Sequence, residues 1–363
     1  MSTIQRIMND FCSLCRASLW RASLLFCPAN LCALEPDSAA WRPEWHLDFT
    51  AEQQVTSEGR HNYASLLRLE AKLPLGGGWS AEIASLSACM TSETSIGGDL
   101  QVFSNLDAGN IGFTLAVCGF RWCHEDRHRG EHALSFGIRN MNEDYFASPL
   151  TSFFTNSSCG IFPTVGANHP APNYPEAGVG VHYRYTTPCT SIKGNESQWS
   201  VQASLYNGMA DSHLAGRHNL FRFRPQSDGV LALAQVHYRR GNSEYFLGTS
   251  QHCGQHQVRP SLWAYAEQAV MPQFALLASY GQAFGDDALC RHFCGLGMKY
   301  GGRRVEAGLF TDYTRMAGID EWATELTCQI PCCRFLTLQP ALHLITTDSQ
   351  TRLAALLRLN LVL

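Results

Sequence analysis

The sequence predicts an all-β fold: a transmembrane antiparallel up-and-down β-barrel of sixteen strands. Three observations predict it. Along the last thirteen residues, 351–363, every second side chain is apolar (Leu353, Ala355, Leu357, Leu359, Leu361, Leu363), while the other face carries Arg352, Arg358 and Asn360. Period-2 alternation makes a strand with one apolar and one wet face. Its length exceeds the roughly 5–6 residues of an ordinary strand and suffices for the about 9–11 that cross a bilayer at a tilt. Second, sixteen such runs follow one another from Trp45 to Leu363, and single-chain bacterial barrels require an even number. Third, the long connections (91–110, 142–176, 208–229) follow odd-numbered runs, while those after even runs are mostly short, 186–198 excepted. Long loops at one rim and tight turns at the other are the barrel pattern, and a soluble sandwich has no reason to keep that parity.

The runs are justified in order. Trp45, Leu47, Phe49 and Ala51 alternate with His46, Asp48, Thr50 and Glu52, and Leu67 to Leu73 with Arg68, Glu70 and Lys72. A Pro-Leu-Gly-Gly-Gly turn leads to Trp79, Ala81 and Ile83. Ile111–Trp122, His132–Met141 and Ala177–Tyr185 make the fourth to sixth runs, and Trp199–Asn207 and Val230–Arg240 the next two. Gly241 and Asn242 suit a two-residue hairpin into Ser243–His252. Arg259–Ala269, Gln273–Phe284, Arg291–Tyr300, Arg304–Thr314, Glu321–Ile330, Phe335–Thr346 and Arg352–Leu363 complete the set. Pro340 has no N–H for the ladder, so a bulge or a shifted boundary is expected there.

Charged residues are 16% of the chain and the net charge is −4, with no basic run, so a nucleic-acid partner is not implied. No stretch of about 18 apolar residues occurs, which excludes membrane-crossing helices and leaves a closed barrel as the spanning structure. Arg6, Arg16 and Arg21 precede a short apolar run, Ala22–Cys27, and small residues near Ala33. Residues 1–33 read as an export signal, with residues 44–363 as the barrel. A short amphipathic helix is the other reading of the same segment. The 15 cysteines include four in residues 1–33, and several of the remaining eleven, such as Cys118 and Cys328, sit where strands take small apolar residues. Cys290, His292 and Cys294, or Cys332 and Cys333, lack the second pair of a structural zinc site; no metal and no cofactor are expected.

Sixteen strands enclose an aqueous channel, so function belongs to whatever narrows it. The longest connection, 142–176, follows the fifth run and is rich in polar and aromatic residues, and a loop of that length is functional or disordered. It is expected to fold inward as a constriction. Glu143, Asp144, Tyr145, Phe146, Phe153, Phe154 and Asn156 are the expected constriction and solute-contact residues. Opposed charges across a constriction orient polar solutes, and aromatic faces stack on the apolar faces of sugar rings. The facing wall charges would be Arg68, Glu70, Lys72, Arg139 and Arg184. The competing reading has the loop cap the barrel on the outside with its aromatics as a local core, and pairs Arg68 and Arg139 with Glu70 or Glu82 for purely structural reasons. His182 and His343 read as ordinary wall residues.

The segment 137–185, GIRNMNEDYFASPLTSFFTNSSCGIFPTVGANHPAPNYPEAGVGVHYRY, resembles the carbohydrate-selective outer-membrane porins of the OprB type. So do FSNLDAGNIGF (103–113) and the closing LQPALHLITTDSQTRLAALLRLNLVL (338–363), in which Gln339, Pro340 and Leu342 match a Gln-Pro-x-Leu strand opening. The resemblance spans roughly Trp45 to Leu363. It implies a porin of the Gram-negative outer membrane passing small sugars by passive diffusion, with membrane lipid and lipopolysaccharide around it and a homotrimer as its assembly. It also implies a strand start at Pro340. The chain departs from the pattern in ending on Leu rather than Phe and in its cysteine content. No GxSxG, P-loop or HExxH motif occurs. Glu143 and Asp144 are adjacent and would point opposite ways on an extended chain, which disfavours a glycosidase dyad, so no catalytic residue is expected. An outer-membrane barrel enzyme and a soluble sugar-binding β-sandwich are the alternatives.

Overall fold

The computed structural model describes residues 42–170, 172–192, 195–210, 221–254 and 257–363. The segment read as an export signal lies outside the described residues. The strands are β1 (Glu44–Thr56), β2 (His61–Gly76), β3 (Trp79–Met90), β4 (Ile111–Glu125), β5 (Glu131–Arg139), β6 (Gly178–Thr186), β7 (Thr190–Ile192), β8 (Asn195–Asn207) and β9 (Val230–Arg240). They continue with β10 (Ser243–Gly254), β11 (Gln257–Met271), β12 (Phe274–Ala283), β13 (Cys290–Gly301), β14 (Glu306–Met316), β15 (Ile319–Cys333), β16 (Leu336–Thr347) and β17 (Thr351–Val362). Each pairs antiparallel with its sequence neighbour, except that β6 and the three-residue β7 both lie along β8. β7 therefore prolongs β6, and the seventeen segments make sixteen staves. All sixteen expected runs fall on them; β7 was not among the runs.

The ring closes where β17 meets β1, in register from Asp48 opposite Val362 to Thr56 opposite Ala354. Closure leaves no free edge, the condition for a sheet to stand in lipid. Side chains alternate across this wall. One face shows large apolar groups to the surroundings, such as Leu247, Leu296, Trp322, Leu326 and, on β17, Leu353 at 42% and Leu357 at 50% exposure. The alternate positions of β17, Ala354, Leu356 and Arg358, are buried. Aromatics gather near the tight-turn rim, with Trp79 6.5 Å from Trp122 and Trp199 stacked 4.3 Å from Tyr238. Such rings suit a membrane interface.

Pro340 is the fifth residue of β16 rather than its first, which corrects the strand start implied by the resemblance. It stays opposite Leu357 of β17, while on the β15 side the ladder passes from Thr327–Ala341 to Ile330–Leu338 without changing register. No bulge absorbs the missing N–H. The gap is bridged by side chains instead: Thr327 Oγ1 donates to the Pro340 carbonyl at 3.0 Å and Gln329 Nε2 to Gln339 Oε1 at 3.3 Å.

Candidate functional site

The connection between β5 and β6 holds three single-turn 3-10 segments (Met141–Glu143, Thr151–Phe153, Ser157–Cys159) and one helical turn, Pro163–Gly166. The side-chain oxygens of Asn140 and Asn156 start two of them by accepting from Asn142 N and Ser158 N. Its first residues meet the wall as charge pairs. Arg68 on β2 donates to both oxygens of Glu143, at 2.8 and 2.9 Å, and also to Glu70. Arg139 on β5 donates to both oxygens of Asp144, at 3.0 and 2.9 Å. Glu82 stands 3.6 Å from Arg139, and His182 Nε2 3.5 Å from Asp144. Bidentate forks of this kind fix geometry as well as contributing energy. The two pairs differ in setting: Arg68 and Glu143 keep side-chain exposures of 21% and 19%, whereas Arg139 is 5% exposed overall. Both expected partnerships are present, the pairing with the connection and the pairing with Glu70 and Glu82. Arg184 reaches only Glu131, at 3.8 Å, and Lys72 makes no ion pair among the described residues, so neither joins this group.

The expected aromatic residues are placed differently. Tyr145, Phe146, Phe153 and Phe154 have exposures of 0–3% and pack with Phe162, Trp263, Phe293 and Phe310 in one hydrophobic cluster. Phe146 lies 4.8 Å from Trp263 and Phe154 5.2 Å from Phe310, centroid to centroid. Burial pushes the Tyr145 hydroxyl above its ordinary pKa, and that hydroxyl donates to Ser204 on β8 at 2.9 Å. No ring face is left open for stacking. A glycine makes the fit possible at β14: a Cβ on Gly308 would stand 2.6 Å from the Phe153 ring.

The remaining grip is carboxylate on backbone. Glu267 of β11 accepts from Ser148 Oγ and from the N–H of Leu150 and Thr151, at 2.8 and 3.2 Å. Glu325 of β15 accepts from Thr155 N, Asn156 N and Thr155 Oγ1, all within 3.1 Å. Asn156 Nδ2 and Ser158 Oγ donate to Asp312 of β14, at 3.1 and 2.7 Å. Asn156 is thus buried among anchors, and Gln339 Nε2 holds the Phe153 carbonyl at 2.8 Å. His182 and His343 are both buried; His343 Nε2 lies 3.0 Å from Thr155 Oγ1.

A second connection, 91–110 between β3 and β4, joins the first, and the sequence reading assigned it no role. Asn105 N donates to the Thr155 carbonyl at 2.7 Å, and Ser157 N to that of Val102 at 3.2 Å. Ser104 Oγ donates to Glu52 at 2.7 Å, and Arg358, which also holds Glu52, donates to Asn105 Oδ1 at 2.6 Å. Burial, with the charge of Glu321 adding to it, pushes Asp99 up to about 6. Burial also pushes Asp107 up to about 6, against a hydrogen bond from Gln54 and with the charge of Glu52 behind it. The sequence did hold a signal for the seat of 142–176. On β9 to β14 the alternate face carries Leu231, Leu233, Phe246, Trp263, Phe293 and Phe310, too apolar for a wall washed by water on that side.

No family model matches the chain, and neither does any curated protein. Solved structures do. A high-pH structure of Pseudomonas putida OprB superposes with a TM-score of 0.73 at 15% identity, over 88% of this chain and 94% of that one. OmpT, an outer membrane protein of Vibrio cholerae, gives 0.56 at 10% identity, over 90% and 99%. A variant of the Rh. blastica porin gives 0.54 at 8%, over 89% and 100%. At these identities the likeness is one of fold.

Proposed function

We propose that the chain is an outer-membrane porin through which carbohydrates and other small polar solutes diffuse passively, and that residues 142–176 lie across its lumen as the constriction. One observation carries the reading. Inside a closed ring of sixteen staves, the connection is tied to β2 and β5 through Glu143 and Asp144 and to β11, β14 and β15 through carboxylates of the wall. A segment touching staves on opposite sides of a closed barrel narrows whatever passes through it. The forked pairs then set opposed charges at its border, a transverse field suited to orienting hydroxyl-rich solutes. The buried rings serve as scaffold for this segment rather than as a stacking platform. The surroundings would be outer-membrane lipid, with lipopolysaccharide at the rim of the long connections.

Chemistry on the solute has no support in the same geometry. Glu143 and Asp144 each face an arginine rather than one another across a space for a scissile bond. The test is reconstitution in planar bilayers with added mono- and disaccharides, alongside swelling of proteoliposomes. Stepwise conductance that sugars reduce is expected. Protein that migrates as a folded barrel on an unheated gel yet gives no steps would overturn the reading.

A further inference from the structure

We infer that Asp312 is a positioning residue that makes the 91–110 and 142–176 connections one body and so sets the aperture; this rests on the porin reading above. Asp312 stands on β14, 1% exposed. Its two oxygens are divided between the connections: Gln101 Nε2 donates to Oδ1 at 2.8 Å, while Asn156 Nδ2 and Ser158 Oγ donate to Oδ2 at 3.1 and 2.7 Å. The neighbouring carboxylates each serve one connection, Glu321 accepting from Leu100 N at 2.7 Å and Glu325 from Thr155 and Asn156 N. The backbones of the two segments meet beside this anchor, at Asn105–Thr155 and Val102–Ser157.

Burial makes the arrangement cooperative. Among the described residues no arginine, lysine or histidine forms an ion pair with Asp312. A buried carboxylate without a cation depends on every donor aimed at it. When either connection lifts, the carboxylate loses part of its donor set, and the other connection is held less well. Neither Gln101 nor Ser158 needs to touch a solute for the aperture to depend on it.

The experiment compares the full chain with D312A, D312N, Q101A, S158A and Q101A/S158A, all first checked for heat-modifiable migration. Hydrogen exchange reads the coupling directly. Loss of three hydrogen bonds to a buried carboxyl group predicts about 10-fold faster exchange, or more, in D312A. That acceleration should appear in 99–107 and 150–158 together, with D312N intermediate because its amide still offers one acceptor. Q101A should loosen 150–158 and S158A should loosen 99–107, with the double variant less than additive. Unitary conductance should rise in D312A and sugar block weaken. Acceleration confined to one connection, or additive single effects, overturns the coupling. Coupled exchange with wild-type conductance overturns the role in the aperture. Absence of conductance in every protein, with exchange coupled, refutes the porin reading and the aperture role while leaving the coupling standing.

Discussion

Neutralising the two carboxylates that open the 142–176 connection, as E143Q/D144N, keeps side-chain size and removes two charges beside the proposed path. Two unit charges 4 Å apart in water interact by about 1 kcal/mol, so at about twice that distance each carboxylate contributes about 0.5 kcal/mol to a passing ion. Cations and anions feel opposite signs, which makes the difference between their barriers about 1 kcal/mol per carboxylate. Screening over a Debye length of about 10 Å at 0.1 M salt roughly halves this, leaving about a twofold shift in permeability ratio per charge and about fourfold for the pair. The shift runs toward anions. Reversal potentials across a salt gradient measure it. Glu52 and Glu82 are poor comparators: Glu52 is the buried partner of Arg358, and Glu82 stands 3.6 Å from Arg139. Exposed Glu93 and Glu131 serve better. An equal shift in E93Q or E131Q, or none in the double variant, would refute the placement of the selectivity site.

Three further outcomes are expected. Asp99 and Asp107 titrate near 6 in the folded protein, above the ordinary carboxylate value. The stability they lend the 91–110 connection is therefore complete below about pH 4 and is lost as pH rises through about 6. Protection factors in 95–107, with the intrinsic pH dependence of amide exchange divided out, should fall between pH 5 and 7.5 in the wild type and stay level in D99N/D107N. Trp263→Ala removes a fully buried ring under Tyr145 and Phe146, at a cost of about 3–5 kcal/mol. It should loosen 142–165 and add current noise while the folded gel band persists. Arg358→Met leaves Glu52 buried at the β1–β17 seam, a loss of about 3–5 kcal/mol, and should lower the temperature at which the folded band disappears.

The strands were legible because each side of the wall imposes its own rule at every second residue. β17 shows this plainly, with Leu353 and Leu357 turned outward and Arg358 inward. β7 escaped because three residues cannot show a period. The arginine partners of Glu143 and Asp144 were readable because strand parity fixes which wall charges face inward. Parity could not tell a ring presented to solute from a ring buried under a second layer, so Phe153 and Phe154 were read as contacts. Nor could it reveal the 91–110 connection, whose partners Asp312 and Glu321 lie more than 200 residues away along the chain.

The cluster around Trp263 and Phe310 gives this barrel two unlike sources of cohesion. On the porin reading, the wall is held by a hydrogen-bonded ladder with its apolar side in lipid, while the connections seated within it are held by apolar rings that shelter from water. Burial from water weakens on cooling, because its driving force near room temperature is entropic, whereas backbone pairing in lipid has no aqueous alternative to lose to. Temperature therefore acts on the two layers separately. Chilling should ease the inner layer first, leaving an intact ring around a looser passage.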